Sequence, residues 1–215
     1  MSRNGTSVPL KSNSRSMMTK PSALLLLGTS HVGKSTCAHH IGSALGWPVI
    51  STDQLGRHPG RPWTGVPDPV MEFYLRLADD AIHWFLRVHH ENIRPLIQSK
   101  LQALRQEGNG FVLEGAALRP EYCPDWAIGA ALVICLHAEP RALRERIERG
   151  SRYSQQDDRM KIAIDKFAER SVRENEAFVE AATRHDIPLM NVSNPNSADR
   201  LAKDLISRLA GRSES

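Results

Sequence analysis

Gly28-Thr29-Ser30-His31-Val32-Gly33-Lys34-Ser35 follows directly on the apolar run Ala23-Leu24-Leu25-Leu26-Leu27, and this stretch decides the fold. It satisfies G-x-x-x-x-G-K-S in the context that gives the pattern meaning: a short buried strand, an abrupt glycine-rich turn, and a helix opening at Ser35-Thr36-Cys37-Ala38 and closing at Gly46. Glycines let backbone N–H groups converge on an anion, and the positive end of the helix faces it. Residues Gly28 to Thr36 are therefore the candidate triphosphate cradle. Lys34 is placed to reach the β- and γ-phosphates, and the Ser35 hydroxyl to ligate Mg²⁺.

Working outward, the pattern alternates. Pro48–Thr52 is a second short strand ending at Asp53, and the prolines and glycines of residues 54–63 enforce a loop. Helical spacing of Met71, Tyr74, Leu75, Ala78, Ala81, Ile82 and Phe85 predicts a helix over 70–88. A second helix carries Ile93, Ile97, Leu101 and Leu104, with Pro95 near its start. Phe111–Leu113 is a third strand ending at Glu114, and Ala130–Leu136 a fourth, apolar throughout as a parallel strand covered on both faces should be. Pro140 and Gly150 bracket another helix, a long polar helix runs from about Asp157 to about His185, Ile187–Val192 is a fifth strand, and Ala198–Leu209 a closing helix. The expected fold is α/β, a three-layer sandwich around a five-stranded parallel sheet, with its site at the carboxyl ends of the strands.

The 215 residues suit one such domain, over 22–215, preceded by a disordered basic tail over 1–21. Arg3, Lys11, Arg15 and Lys20 in that tail account for the whole net charge of +4, so the remainder is neutral. A neutral body lacks the basic face that nucleic-acid backbones require. No apolar stretch reaches membrane-spanning length, and the tail has no apolar signal region. Cys37, Cys123 and Cys135 form no C-x-x-C spacing and read as core thiols, which fits a cytoplasmic chain. The expected partner is a small-molecule acceptor bound to a monomer or homodimer, with no nucleic acid and no membrane.

Two carboxylates stand at strand ends beside the cradle. Asp53 is the candidate base for an incoming hydroxyl, against the alternative of a turn cap. Glu114 is the candidate supporter of Mg²⁺, against a cap for the following segment. Arg57 and Arg61, in the loop after Asp53, are candidates to clamp a polyhydroxylated or anionic acceptor. Arg146, Arg149 and Arg152 fall in a lid over about 146–160, with Arg149 and Arg152 expected to bring charge to the transferring phosphoryl. Of nine histidines, His58 stands closest to these groups; the adjacent pairs His39-His40 and His89-His90 point apart on a helix and do not chelate together.

These residues resemble the P-loop small-molecule kinases, a group that includes shikimate, gluconate and adenylate kinases. The chain looks closest to the 2-phosphoglycerate kinase-like set, through Val112-Leu113-Glu114-Gly115 with Leu118-Arg119-Pro120, Lys166-Phe167-Ala168-Glu169-Arg170 with Asn175, and Asp186-Ile187-Pro188-Leu189-Met190-Asn191. The likeness covers about residues 22–210. It implies ATP and Mg²⁺ as cofactors, an acceptor hydroxyl, adenine near Asn191–Asn196, Arg119 at the substrate, and acceptor-binding helices over about 55–105. The rival reading is an NTPase or nucleotide-dependent switch. Asp53-Gln54-Leu55-Gly56 satisfies D-x-x-G, but it lies close behind the phosphate loop and no N-K-x-D motif accompanies it.

Overall fold

The computed structural model describes residues 21–126, 131–194 and 196–211. Residues 1–20 of the expected tail and Ala130 of the expected fourth strand lie outside them. Strands β1 (Ala23–Leu27), β2 (Val49–Ser51), β3 (Phe111–Glu114), β4 (Ala131–His137) and β5 (Leu189–Asn191) form one sheet in the order β2-β3-β1-β4-β5. Every pairing is parallel. Parallel neighbours need crossover connections, and the helices supply them: α1 (Lys34–Leu45), α2 (Asp68–Arg76), α3 (Asp79–Gln106), α4 (Cys123–Trp126), α5 (Pro140–Ser151), α6 (Asp158–Arg184) and α7 (Ser197–Ala210).

Alternation along β1 divides the core. Leu25 and Leu27 face α3 and α6, packing with Ile97, Leu101 and Phe178, whereas Leu24 and Leu26 face α1 and α7, packing with Ile41, Leu201 and Leu205. All four leucines are fully buried, each contributing about 1.5–3 kcal/mol of transfer free energy. A third cluster joins Tyr74 of α2, Leu143 and Ile147 of α5, and Ile164 and Phe167 of α6 above the strand ends. Cys37, Cys123 and Cys135 are free and buried. Among the described residues no helix is long and apolar enough to cross a membrane.

One boundary differs from the sequence reading. The helix expected over 70–88 is interrupted at Leu77 and Ala78, both extended, where the Leu77 carbonyl accepts from Lys166 Nζ at 2.5 Å. Asp79 and Asp80 then open α3, which continues unbroken past Pro95 to Gln106. Its buried positions Ile82, Leu86, His90, Ile93, Ile97, Leu101 and Leu104 make one stripe, and packing along that stripe outweighs the hydrogen bond that Pro95, on the exposed side, cannot donate.

Candidate active site

Topology brings the acidic residues to the cradle. Glu114 pairs in register with Leu26 of β1 on one side and Ser51 of β2 on the other, so its carboxylate stands at the strand ends between the phosphate loop and the turn bearing Asp53. Gly28 leaves β1 at φ +133°, and a Cβ there would lie 2.4 Å from the Leu136 carbonyl oxygen. Only glycine permits this turn. Gly33, at φ +107°, precedes α1, whose first turn holds no acidic side chain to compete for the dipole.

Lys34 folds back over the loop and donates to the Thr29 carbonyl at 2.7 Å. Burial lowers its pKa, while the nearby Glu114 and Asp53 carboxylates oppose that shift. Ser35 Oγ donates to Glu114 Oε1 at 3.1 Å, placing a hydroxyl and a carboxylate oxygen side by side. Such hard oxygen donors fit Mg²⁺, which keeps several waters and takes few protein ligands. His31, left-handed at φ 62°, packs against Trp63 and Phe167, each with its ring centre 5.5 Å away, and those two rings also meet each other edge to face at 5.0 Å. Burial, reinforced by Arg61, Lys34 and Arg170, pushes its pKa down to about 4.

A cavity of about 600 Å³ opens here, lined by residues 30–36 of the loop and by Asp53, His58, Arg61, Glu114, Arg149 and Arg170. Glu145, Arg146, Ser193 and Asp199 line it as well. Ser193 belongs to the segment Asn191–Asn196 expected to hold a base, of which Pro195 lies outside the described residues. A smaller cavity of about 20 Å³ shares Asp53, His58 and Arg170 with the first and is closed by His89, His90 and Ile93 of α3. Asp53 lies on a short 3₁₀ turn, Thr52–Gln54, that Ser51 caps by accepting from the Asp53 N–H at 3.4 Å. The Asp53 carboxylate caps nothing and forms no hydrogen bond or ion pair among the described residues. His58 Nδ1 accepts from the Gly60 N–H at 3.0 Å, which leaves the proton of the neutral ring on Nε2. Burial lowers the His58 pKa, against the opposing pull of Asp53.

Four arginines require correction. Arg119 does not reach the cavity: it is buried, and its guanidinium pairs with Glu174 of α6 and, at 3.1 Å, with Glu121. Arg57 is exposed outside both cavities. Arg152 takes a left-handed conformation that ends α5 and also lies outside them. Arg146 is no swinging arm, because it donates to the Val32 carbonyl at 3.0 Å and to the Val192 and Ser193 carbonyls. It thereby staples the phosphate loop to the loop after β5. Arg61 and Arg149 do line the large cavity.

Arg170 is the residue that sequence reasoning missed as a site group. A signal was present: the buried stripe of α6 runs through Ile164, Phe167, Ser171, Asn175 and Phe178, and Arg170 and Glu174 fall on that stripe. Charged residues in such positions are rare unless they have a task.

No family model matches the sequence, and no curated protein matches it either. Solved structures do. A gluconokinase from Sinorhizobium meliloti 1021 is 17% identical, with 89% of this chain and 93% of that one covered and a TM-score of 0.51. An unliganded sugar kinase from Janibacter sp. HTCC2649 is 16% identical, with 88% and 95% covered and a TM-score of 0.53. Sheet order, phosphate loop and these two likenesses together give the chain the α/β fold of the P-loop NTPases, in the form shared by those two structures.

Proposed function

We propose that this protein is an ATP-dependent phosphotransferase that moves the γ-phosphoryl group to a hydroxyl of a small molecule. One observation carries the reading: Lys34 of the cradle and the unengaged carboxylate of Asp53 line the same cavity. A triphosphate gripped at the head of α1 would present its γ-phosphorus toward Asp53. There the carboxylate accepts the proton of the incoming hydroxyl, the oxygen–phosphorus bond forms, the bond to the bridging oxygen breaks, and ADP departs. Ser35 and Glu114 would hold Mg²⁺, which when bound neutralises charge on the β- and γ-phosphates. Arg149 and Arg61 add positive charge at the transferring group.

In this reading residues 22–215 form the catalytic domain, α2 and the first half of α3 wall the acceptor side, and the protein acts as a cytoplasmic monomer or homodimer. The likeness to a gluconokinase and a sugar kinase supports phosphotransfer over a switch. The test is ATP turnover with and without a library of hydroxyl compounds, read by mass spectrometry for any member gaining a phosphoryl group. Slow hydrolysis alone and a sharp rise with one compound are expected, both abolished in Lys34→Ala. Turnover indifferent to every compound would favour an NTPase.

A further inference from the structure

His31 stands in the phosphate loop at φ 62°, between Gly28 and Gly33. Glycine takes that left-handed conformation freely, whereas a residue with a side chain is strained in it. The ring carries a second cost, because its Nδ1 is buried with no hydrogen-bond partner among the described residues. Stability alone does not account for histidine here, since glycine would carry neither cost. Strain kept beside a ligand cradle directs attention to what the side chain touches.

It touches the connection between the Asp53 turn and α2. Residues 55–67 form no helix or strand, and Gly60 and Gly65 within them are left-handed at φ 73° and 70°. Arg61 of this connection lines the large cavity, yet its guanidinium makes no hydrogen bond or ion pair among the described residues. The neighbouring Gly60 is tied to α2, its carbonyl accepting from Tyr74 Oη at 2.6 Å. Among the described residues no hydrogen bond or ion pair joins 55–67 to the phosphate loop, residues 28–36. Rings make that bridge instead. Trp63, two residues after Arg61, packs on His31 at 5.5 Å and on Phe167 of α6 at 5.0 Å, and Phe167 meets His31 in turn. Burial keeps the imidazole neutral at ordinary pH, so it packs as an aromatic ring and brings no charge to the cradle.

We propose that His31 is a positioning residue: the contact between its ring and Trp63 is the joint that holds Arg61 over the phosphate cradle. A triphosphate entering the cradle then meets a guanidinium already in place, on a loop that is not free to carry it away. The role given to Arg61 rests on the phosphotransfer reading, but the joint stands independently of it.

Two measurements on the full chain test this. Amide hydrogen exchange over residues 56–66, followed by mass spectrometry without nucleotide, reads the joint. His31→Gly removes ring and strain together, and should speed exchange in that segment about fivefold or more while leaving β1 and β4 unchanged. Trp63→Ala should do the same, and Trp63→Phe, which keeps a ring, should retain most of the protection. The kcat for ATP turnover with Mg²⁺ reads Arg61. Arg61→Gln and His31→Gly should each lower it at least about tenfold, with KM for ATP within about twofold of wild type. Because His31 acts through Arg61, the double variant should be no slower than Arg61→Gln alone. Unchanged exchange in His31→Gly, a wild-type kcat in that variant, or losses that multiply in the double variant would overturn the inference. Faster exchange in His31→Gly, in a protein whose wild type turns over no ATP, would uphold the joint and count against phosphotransfer alone.

Discussion

Ser35 Oγ donates to Glu114 Oε1 across 3.1 Å, joining the head of α1 to the end of β3, and these two side chains would hold Mg²⁺ under the proposed function. Glu114→Gln keeps the shape of that contact and removes the charge. The half-saturating Mg²⁺ concentration for ATP turnover should rise about tenfold, a change worth about 1.4 kcal/mol. A Mg²⁺ titration checks this, and an unchanged midpoint would contradict the assignment.

Arg119 and Glu174 form a buried pair beneath α6, with His83 Nδ1 3.6 Å and His90 Nδ1 3.9 Å from the same carboxylate. Burial pushes the Glu174 carboxyl up, and Arg119 opposes that shift. Removing one member strands the other in the core, so Arg119→Met should cost about 3–5 kcal/mol, while the double change Arg119→Met with Glu174→Met should recover most of the loss. Urea denaturation of the three variants tests this. Additive losses would show that the pair is not the unit.

His31 and His83 make stability depend on pH. Both are held at about 4, by burial first and by neighbouring arginines next. An unfolded histidine takes up its proton near pH 6.5, so below that value the unfolded chain binds protons that the folded one refuses. The contribution is full above pH 6.5 and is lost progressively as pH falls toward 4. For His31 alone the loss at pH 5 is about 1–2 kcal/mol. His31→Gln should flatten the fall in denaturation midpoint between pH 7 and pH 5. Identical pH dependence in both proteins would contradict it.

Gly28 and Gly33 separate steric from conformational strain in the phosphate loop. A Cβ at Gly28 meets the Leu136 carbonyl at 2.4 Å, whereas at Gly33 nothing lies within 4 Å. Gly28→Ala should therefore destabilise by about 3 kcal/mol or more, and Gly33→Ala by about 1–2 kcal/mol from its positive φ alone. Equal losses in chemical denaturation would argue against this geometry.

Much of this was legible in the chain. The apolar runs at Ala23–Leu27 and Phe111–Leu113 gave strands whose ends carry the phosphate loop and Glu114, because period and flanking glycines are local signals. The arginines were not legible by position. Arg119 and Arg170 each sit near a promising motif, yet one is consumed by Glu174 and the other is left unpaired over the cavity. Pairing of this kind is decided by how α6 lies against the β3–α4 segment, a relation between distant parts of the chain. Arg146 likewise read as a mobile lid group until α5 brought it against three backbone carbonyls. The break at Leu77 was hidden because Lys166, far along the chain, donates to its carbonyl.

The most direct test follows the γ-phosphoryl group itself. ATP labelled at the γ-position is incubated with the protein, Mg²⁺ and each acceptor that stimulates turnover, and the label is divided between phosphate ester and free phosphate. Wild-type protein should deliver most label to the ester, and Asp53→Asn should bind ATP with near wild-type affinity while ester formation falls at least a hundredfold. Label recovered only as free phosphate, or ester formed at an undiminished rate by Asp53→Asn, would contradict the account.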